Sequence, residues 1–176
     1  MDRTLSAAAL AAIAFTASHA TAGIVASYDV GAGSNLATVQ VDFTNGNGYV
    51  LNLRWSDAQN GMTGFGATQA IAAVVPGGQL AFESYSFGAF VTGIGIGGDY
   101  EYGTGDLWPD VENYWHYWVK SNGQWEQAMF GPSDHVLANG TEFAWVFGSG
   151  AAPQAVPAPG ALGAALAFAL GTRRRR

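Results

Sequence analysis

The sequence predicts a mainly β protein with a minor α+β component. The expected architecture is a small antiparallel, β-rich body with one short helix, followed by a C-terminal membrane-anchor helix. Three observations predict it. Of the 176 residues, 25 are glycine, and 22 of those fall between positions 23 and 155, which suits a domain with many tight turns. Between the glycines the chain alternates apolar and polar side chains with period two, as a half-buried strand does. Past residue 155 the composition changes abruptly to prolines, an apolar run and four terminal arginines.

Composition bounds the function. Hydrophobic residues make up 49% and charged residues 11%, which excludes a disordered acidic chain. The length suits one domain. The absence of cysteine removes disulfides, thiolate metal sites and thiol nucleophiles. The net charge of −6 is unevenly spread. Arg3 and Arg173, Arg174, Arg175 and Arg176 lie at the ends, so the middle keeps only Arg54 and Lys120 against twelve acids, a net −10. That middle is no nucleic-acid binder. Three segments result: 1–22, 23–150 and 151–176.

Residues 1–22 read as a secretory signal peptide. Arg3 opens it, Ala7 to Phe15 supply an apolar core too short to span, and small residues follow. Cleavage is expected after Ala22, with Ala20 as the second choice, by signal peptidase.

The body then unfolds as strands and turns. Ile24, Ala26, Tyr28 and Val30 share one strand face. Ala37, Val39, Val41 and Phe43 share another, opposite Thr38, Gln40 and Asp42. Tyr49, Leu51, Leu53 and Trp55 make a third. Five Asn-Gly pairs, at 45–46, 47–48, 60–61, 122–123 and 139–140, mark turns, because both residues tolerate positive φ. The one helix is expected over Thr68 to Val75, stopped by Pro76 and Gly77. Strand character returns over Phe82 to Ile96.

The densest chemistry lies between Trp108 and Phe147. Tyr114 to Lys120 reads as a strand, Asn122-Gly123 as a two-residue turn, and Trp125 to Phe130 as the returning strand. That register sets Lys120 opposite Trp125, with Trp118 diagonal on the same face. A Trp pair capped by an ammonium follows. His116, Trp118, Lys120 and Trp125 are therefore the candidate ligand-binding residues, on the wetter face, for a saccharide or a planar small molecule. Phe143 to Phe147 form the final strand.

This block, with its Tyr-Trp-x-Tyr-Trp strand, Asn-Gly hairpin, Gly-Pro-Ser loop and closing Phe-Ala-Trp-Val-Phe, resembles the C-terminal end of the transcobalamin-C-terminal-like family. That family occurs in bacterial surface proteins as well as cobalamin carriers. The likeness spans residues 37 to 147 and implies a β-grasp-like sheet with one packed helix. No ligand residue of the family matches one to one, so no cofactor is expected.

The tail begins with Val156, Pro157, Ala158 and Pro159, which cannot be helical throughout. Gly160 to Thr172 is apolar, and Arg173 to Arg176 end the chain. Such an order describes an anchor whose arginines stay cytoplasmic. Thirteen helical residues reach about 20 Å, short of a hydrocarbon core of about 30 Å, so arginine snorkelling has to cover the rest. The tail resembles the PEP-CTERM sorting signal of bacterial surface proteins, with Ala158 standing where the family name implies Glu. That resemblance implies an exosortase-type processing enzyme as partner, a transient membrane anchor, and release to the cell surface or an exopolysaccharide matrix. A Cys for lipidation and a Leu-Pro-x-Thr-Gly sortase motif are both missing from the sequence.

Catalysis finds little support. Only His116 and His135 remain in the body. Ser133-Asp134-His135 are sequence neighbours, which seldom converge as a triad, so a turn capped by Asp134 is expected. Asp99, Glu101, Asp106, Asp110 and Glu112 form a glycine-rich acidic stretch without regular Ca²⁺-ligand spacing. Asn139-Gly140-Thr141 matches a glycosylation acceptor but reads as a turn. The expected function is that of an exported, non-enzymatic surface or matrix protein. The alternatives are a ligand-binding module and a secreted hydrolase.

Overall fold

The computed structural model describes residues 23–56, 61–109 and 111–156. The signal peptide with Ala20 and Ala22, and the tail with Pro157, Ala158, Pro159 and Arg173 to Arg176, lie outside the described residues, as does the expected anchor helix. Among the described residues no helix is long and apolar enough to cross a membrane.

The chain runs β1 (Gly23–Gly31), β2 (Asn35–Asp42), β3 (Asn47–Trp55), α1 (Gly64–Ala72), β4 (Gln79–Tyr85), β5 (Gly88–Ile96), β6 (Asp99–Tyr102), β7 (Trp115–Ser121), β8 (Gln124–Gln127) and β9 (Thr141–Phe147). Mainly β is therefore correct. Two sheets form, one of six strands in the order β1-β3-β2-β9-β7-β8 and one of three in the order β4-β5-β6.

The large sheet is mixed, which corrects the antiparallel expectation. β2 with β3 and β7 with β8 are antiparallel hairpins, but β1 lies parallel to β3 and β9 parallel to β2. The first parallel pair arises because the link after β1 crosses the end of β3 before entering β2. Gly33 makes that crossing: its φ is +147°, and a Cβ there would sit 2.1 Å from the Trp55 carbonyl. Only glycine fits so close an approach at that φ. The second parallel pair joins segments about a hundred residues apart, and no local turn chemistry announces it.

The helix starts earlier than expected and ends earlier too. Thr63 is its N-cap, accepting from the Gly66 N–H, so the glycines before Thr68 are helical rather than loop. Thr68 locks the helix to the sheet: its hydroxyl donates to the Gly64 carbonyl and accepts from the Trp145 indole N–H at 3.0 Å. The stretch expected as strand over 82–96 is a hairpin of the small sheet. β8 stops at Gln127, short of Phe130.

One face of the large sheet packs against α1 and the small sheet. Val39, Leu51, Leu53, Tyr117, Phe143 and Trp145 meet Ala67, Ile71, Val91 and Ile94 in a single core. The other face carries the alternating polar residues and is closed only by the segment that follows β9.

Candidate functional site

The Asn122-Gly123 turn has φ of 50° and 78°, the double positive pair of a type I′ turn. It fixes the hairpin register, and Lys120 pairs with Trp125 as expected. The Lys120 ammonium stands 5.3 Å from the centre of the Trp125 ring, within cation–π reach. It also donates to Glu142 Oε2 at 2.7 Å, because β9 lies beside β7.

Register carries this row across the sheet. Thr38 is level with Glu142 and with Asn52. The Thr38 hydroxyl donates to Asn52 Oδ1 at 3.4 Å, and the Asn52 amide to Asp29 at 3.0 Å. The outer face thus presents a polar row from Asp29 to Trp125, spanning all six strands.

The next rows are roofed by the chain's own end. Gln154 donates its backbone N–H to Asp42 Oδ2 at 2.8 Å and its side-chain amide to Asp42 Oδ1 at 2.9 Å. Gln40 donates to the Gln154 carbonyl at 2.9 Å and to both Asp42 oxygens at 3.0 Å. Asp42 is a buried carboxylate held entirely by amide donors. Gly48 explains why the strap lies so low: a Cβ there would meet the Gln154 amide at 2.0 Å. Of the Asn-Gly pairs expected as turns, 47–48 is therefore not one; it lies inside β3.

Between the strap and the hairpin lies a cleft of about 310 Å³, lined by Thr38, Gln40, Lys120, Trp125, Glu142 and the stretch from Pro153 to Val156. It falls at the small end of the range for ligand pockets, about 300–1,000 Å³. The sequence-predicted residues divide here. Lys120 and Trp125 line it. Trp118 is buried with Ala144 and Val146, beneath a half-buried Trp125. His116 is buried too, its ring 4.3 Å from Tyr114, its Nδ1 3.0 Å from the Gln127 amide and its Nε2 3.5 Å from Glu112. Burial lowers its pKa, with Glu112 working against that shift. The Trp118 face is thus wet only at its Lys120 end, because Gln127, Tyr114 and Glu112 cover the other. Gln40, Glu142 and Gln154 were missed. Their alternation within each strand is readable, but the long-range partnership with the strap leaves no local signal.

The other candidates resolve into structural roles. Ser133 accepts from the Ala89 N–H, whereas His135 Nδ1 is 2.6 Å from the Tyr117 hydroxyl. No triad forms. The acids of 99–112 are splayed as brackets. Asp99 accepts from Asn45, Asn47 and Tyr49, and Glu101 from Thr44. Asp106 accepts from Thr104 and Asn113, and Glu112 from the Gly150 N–H. The Tyr49 phenol is pushed up to about 12 by burial and by Asp99. Asp110 lies outside the described residues, and among the described residues no cluster of three metal-ligating side chains occurs. Asn139 and Thr141 are both engaged by backbone N–H groups, of Leu36 and Ala138.

No model of a known protein family matches the chain, and no curated protein does. Among solved structures the chain is similar to haptocorrin, crystallised in complex with Cbi. Identity is 20% and the TM-score 0.43, over 65% of this chain. The aligned region spans a quarter of haptocorrin's own chain. This loose likeness is in line with the transcobalamin-like resemblance of the body, and no residue role is taken from it.

Proposed function

We propose that this is an exported, non-enzymatic bacterial surface or matrix protein, delivered by signal peptidase and sorted by a PEP-CTERM-like tail through an exosortase-type enzyme. The observation that carries the reading is where the folded body ends. Gln154 is bound to the sheet, and Val156 is half exposed immediately before Pro157. The fold is complete upstream of the prolines, so the tail is free to be a separate address. β1 begins at Gly23, whose N–H bonds the Gly46 carbonyl at 3.0 Å, which suits cleavage after Ala22. The body is read as β-grasp-like, supported by the order β3-β2-β9-β7 with hairpins on both sides and parallel central strands.

The test is deletion of Val156 to Arg176, which leaves Gln154 and its bonds in place. The truncated protein is expected in the medium or periplasm with unchanged unfolding; wild-type localisation would sink the sorting reading. A second reading, a ligand-binding module, is favoured by the cleft beside Trp125. Exopolysaccharide is then both the surroundings and a candidate ligand.

A further inference from the structure

The cleft on the outer face has a chemistry of its own, and naming its ligand class rests on the ligand-binding reading. Its charges are already matched: the Lys120 ammonium is paired with Glu142 at 2.7 Å, so no lone cation waits for an anion. The acidic body further disfavours anions. Its one broad surface is the half-buried Trp125 indole, held in place by the hairpin and by the ammonium beside its ring. Around that ring stand short-range hydrogen-bonding groups: the Thr38 hydroxyl, the Gln40 amide, and Glu142, whose Oε2 holds the lysine.

Two buried polar atoms add a second, independent sign. Gln154 Oε1, on the strap that walls the cleft, finds no hydrogen-bond partner among the described residues. Its orientation is fixed because the amide nitrogen of the same side chain is bound to Asp42. The indole N–H of Trp118, in the cluster under Trp125, has none either. One orphan is an acceptor and the other a donor. Leaving such groups unmet is unfavourable, and a hydroxyl group, which donates and accepts, answers both kinds.

From this geometry we infer that the cleft is a saccharide subsite. A neutral pyranose ring lies against Trp125, and its hydroxyls reach Gln154 Oε1, Glu142 and Thr38. A flat ring such as Trp receives the apolar C–H face of a sugar, while the edge hydroxyls need the polar rim. The strap makes the tail's root one wall of the site, so a bound glycan sits where the body leaves its anchor.

The experiment is calorimetric titration of the full chain, in detergent, with cellobiose, maltose and caffeine up to about 10 mM. At least one disaccharide is expected to bind saturably. Trp125→Ala should weaken it about tenfold or more, while Trp125→Phe keeps a flat ring and most of the affinity. Unchanged denaturation midpoints in both variants separate lost binding from lost fold. Binding of caffeine alone, lost in Trp125→Ala, overturns the saccharide class but leaves the ligand-binding reading standing. Sugar binding that survives Trp125→Ala overturns this cleft. No binding of any of the three overturns both.

Discussion

The two faces of the large sheet are made from the same strands, residue by residue, yet they are closed by different physics. On the inner face, Leu51 and Phe143 have no exposed surface, and a helix and a second sheet cover them. The cover is apolar and broad. On the outer face, Gln40 and Asp42 are almost as deeply buried, but what covers them is a short strap held by hydrogen bonds. Apolar burial is non-directional and fills space. Hydrogen bonds have directions and lengths, so a face closed by them retains gaps. The cleft lies beside the strap for that reason.

The strongest way to break this contrast is to truncate one residue on each face. Phe143→Ala is expected to lose about 3–5 kcal/mol in chemical denaturation, a large part of a small domain's total of about 5–15 kcal/mol. Thr38→Val on the outer face should change stability by less than about 1 kcal/mol, since its bond to Asn52 is long. Equal losses would mean that the outer row is as much core as the inner one.

Asp42→Ala comes next. It removes the acceptor that Gln40 and both Gln154 donors share, and leaves those donors in a half-closed site. A loss of about 1–3 kcal/mol is expected. The sharper readout is local: the Gln154 N–H should exchange faster with solvent, and the chain after residue 150 should become sensitive to protease. If exchange there is unchanged while global stability falls, Asp42 braces the sheet and the strap holds by other means.

Acid should act on both faces through the histidines. His135, packed on the inner face against Tyr117 and Phe143, has its pKa lowered by burial. The unfolded imidazole protonates near its ordinary value of about 6.5, while the folded one stays neutral to lower pH. Stability is therefore full above about 6.5 and falls as pH drops toward the folded value. Denaturation at pH 7.5 and 5.5 measures the loss, and His135→Gln should shrink it. On the outer face, Glu112→Gln should lower the His116 pKa further, because that carboxylate opposes the burial shift. An imidazole that titrates above its ordinary value by NMR would contradict the burial of either ring.

Which parts of this were legible beforehand follows from distance along the chain. The hairpin of Lys120 and Trp125 was readable because four residues and a positive-φ turn fix its register. The strand faces were readable from alternation. Alternation shows which residues share a face, but not what later covers it. His116 and Trp118 were placed with Lys120 for a sound reason, yet Gln127, Tyr114 and Glu112 bury them. The parallel pairing of β2 with β9 and the Gln154–Asp42 clamp join residues about a hundred positions apart. Only Gly48 hinted at the clamp, and a glycine after an asparagine reads first as a turn.

The smallest expected effect is also the one that best separates stability from function on the outer face. Lys120 and Glu142 keep 29% and 42% of their side-chain surface exposed, so solvent screens much of their attraction. Lys120→Met should therefore cost about 0–1 kcal/mol, less still in high salt. Its long apolar stem is retained, so contact with Trp125 persists while the cation–π attraction goes. What changes is the charge balance of the cleft: Glu142 is left unpaired, and the site becomes net negative. If the cleft takes neutral rings, the variant should keep its fold and lose only part of its sugar affinity. A large loss of stability instead would mean that this ion pair, and not the strap, holds the hairpin edge to the sheet, and the contrast between the two faces would have to be redrawn around it.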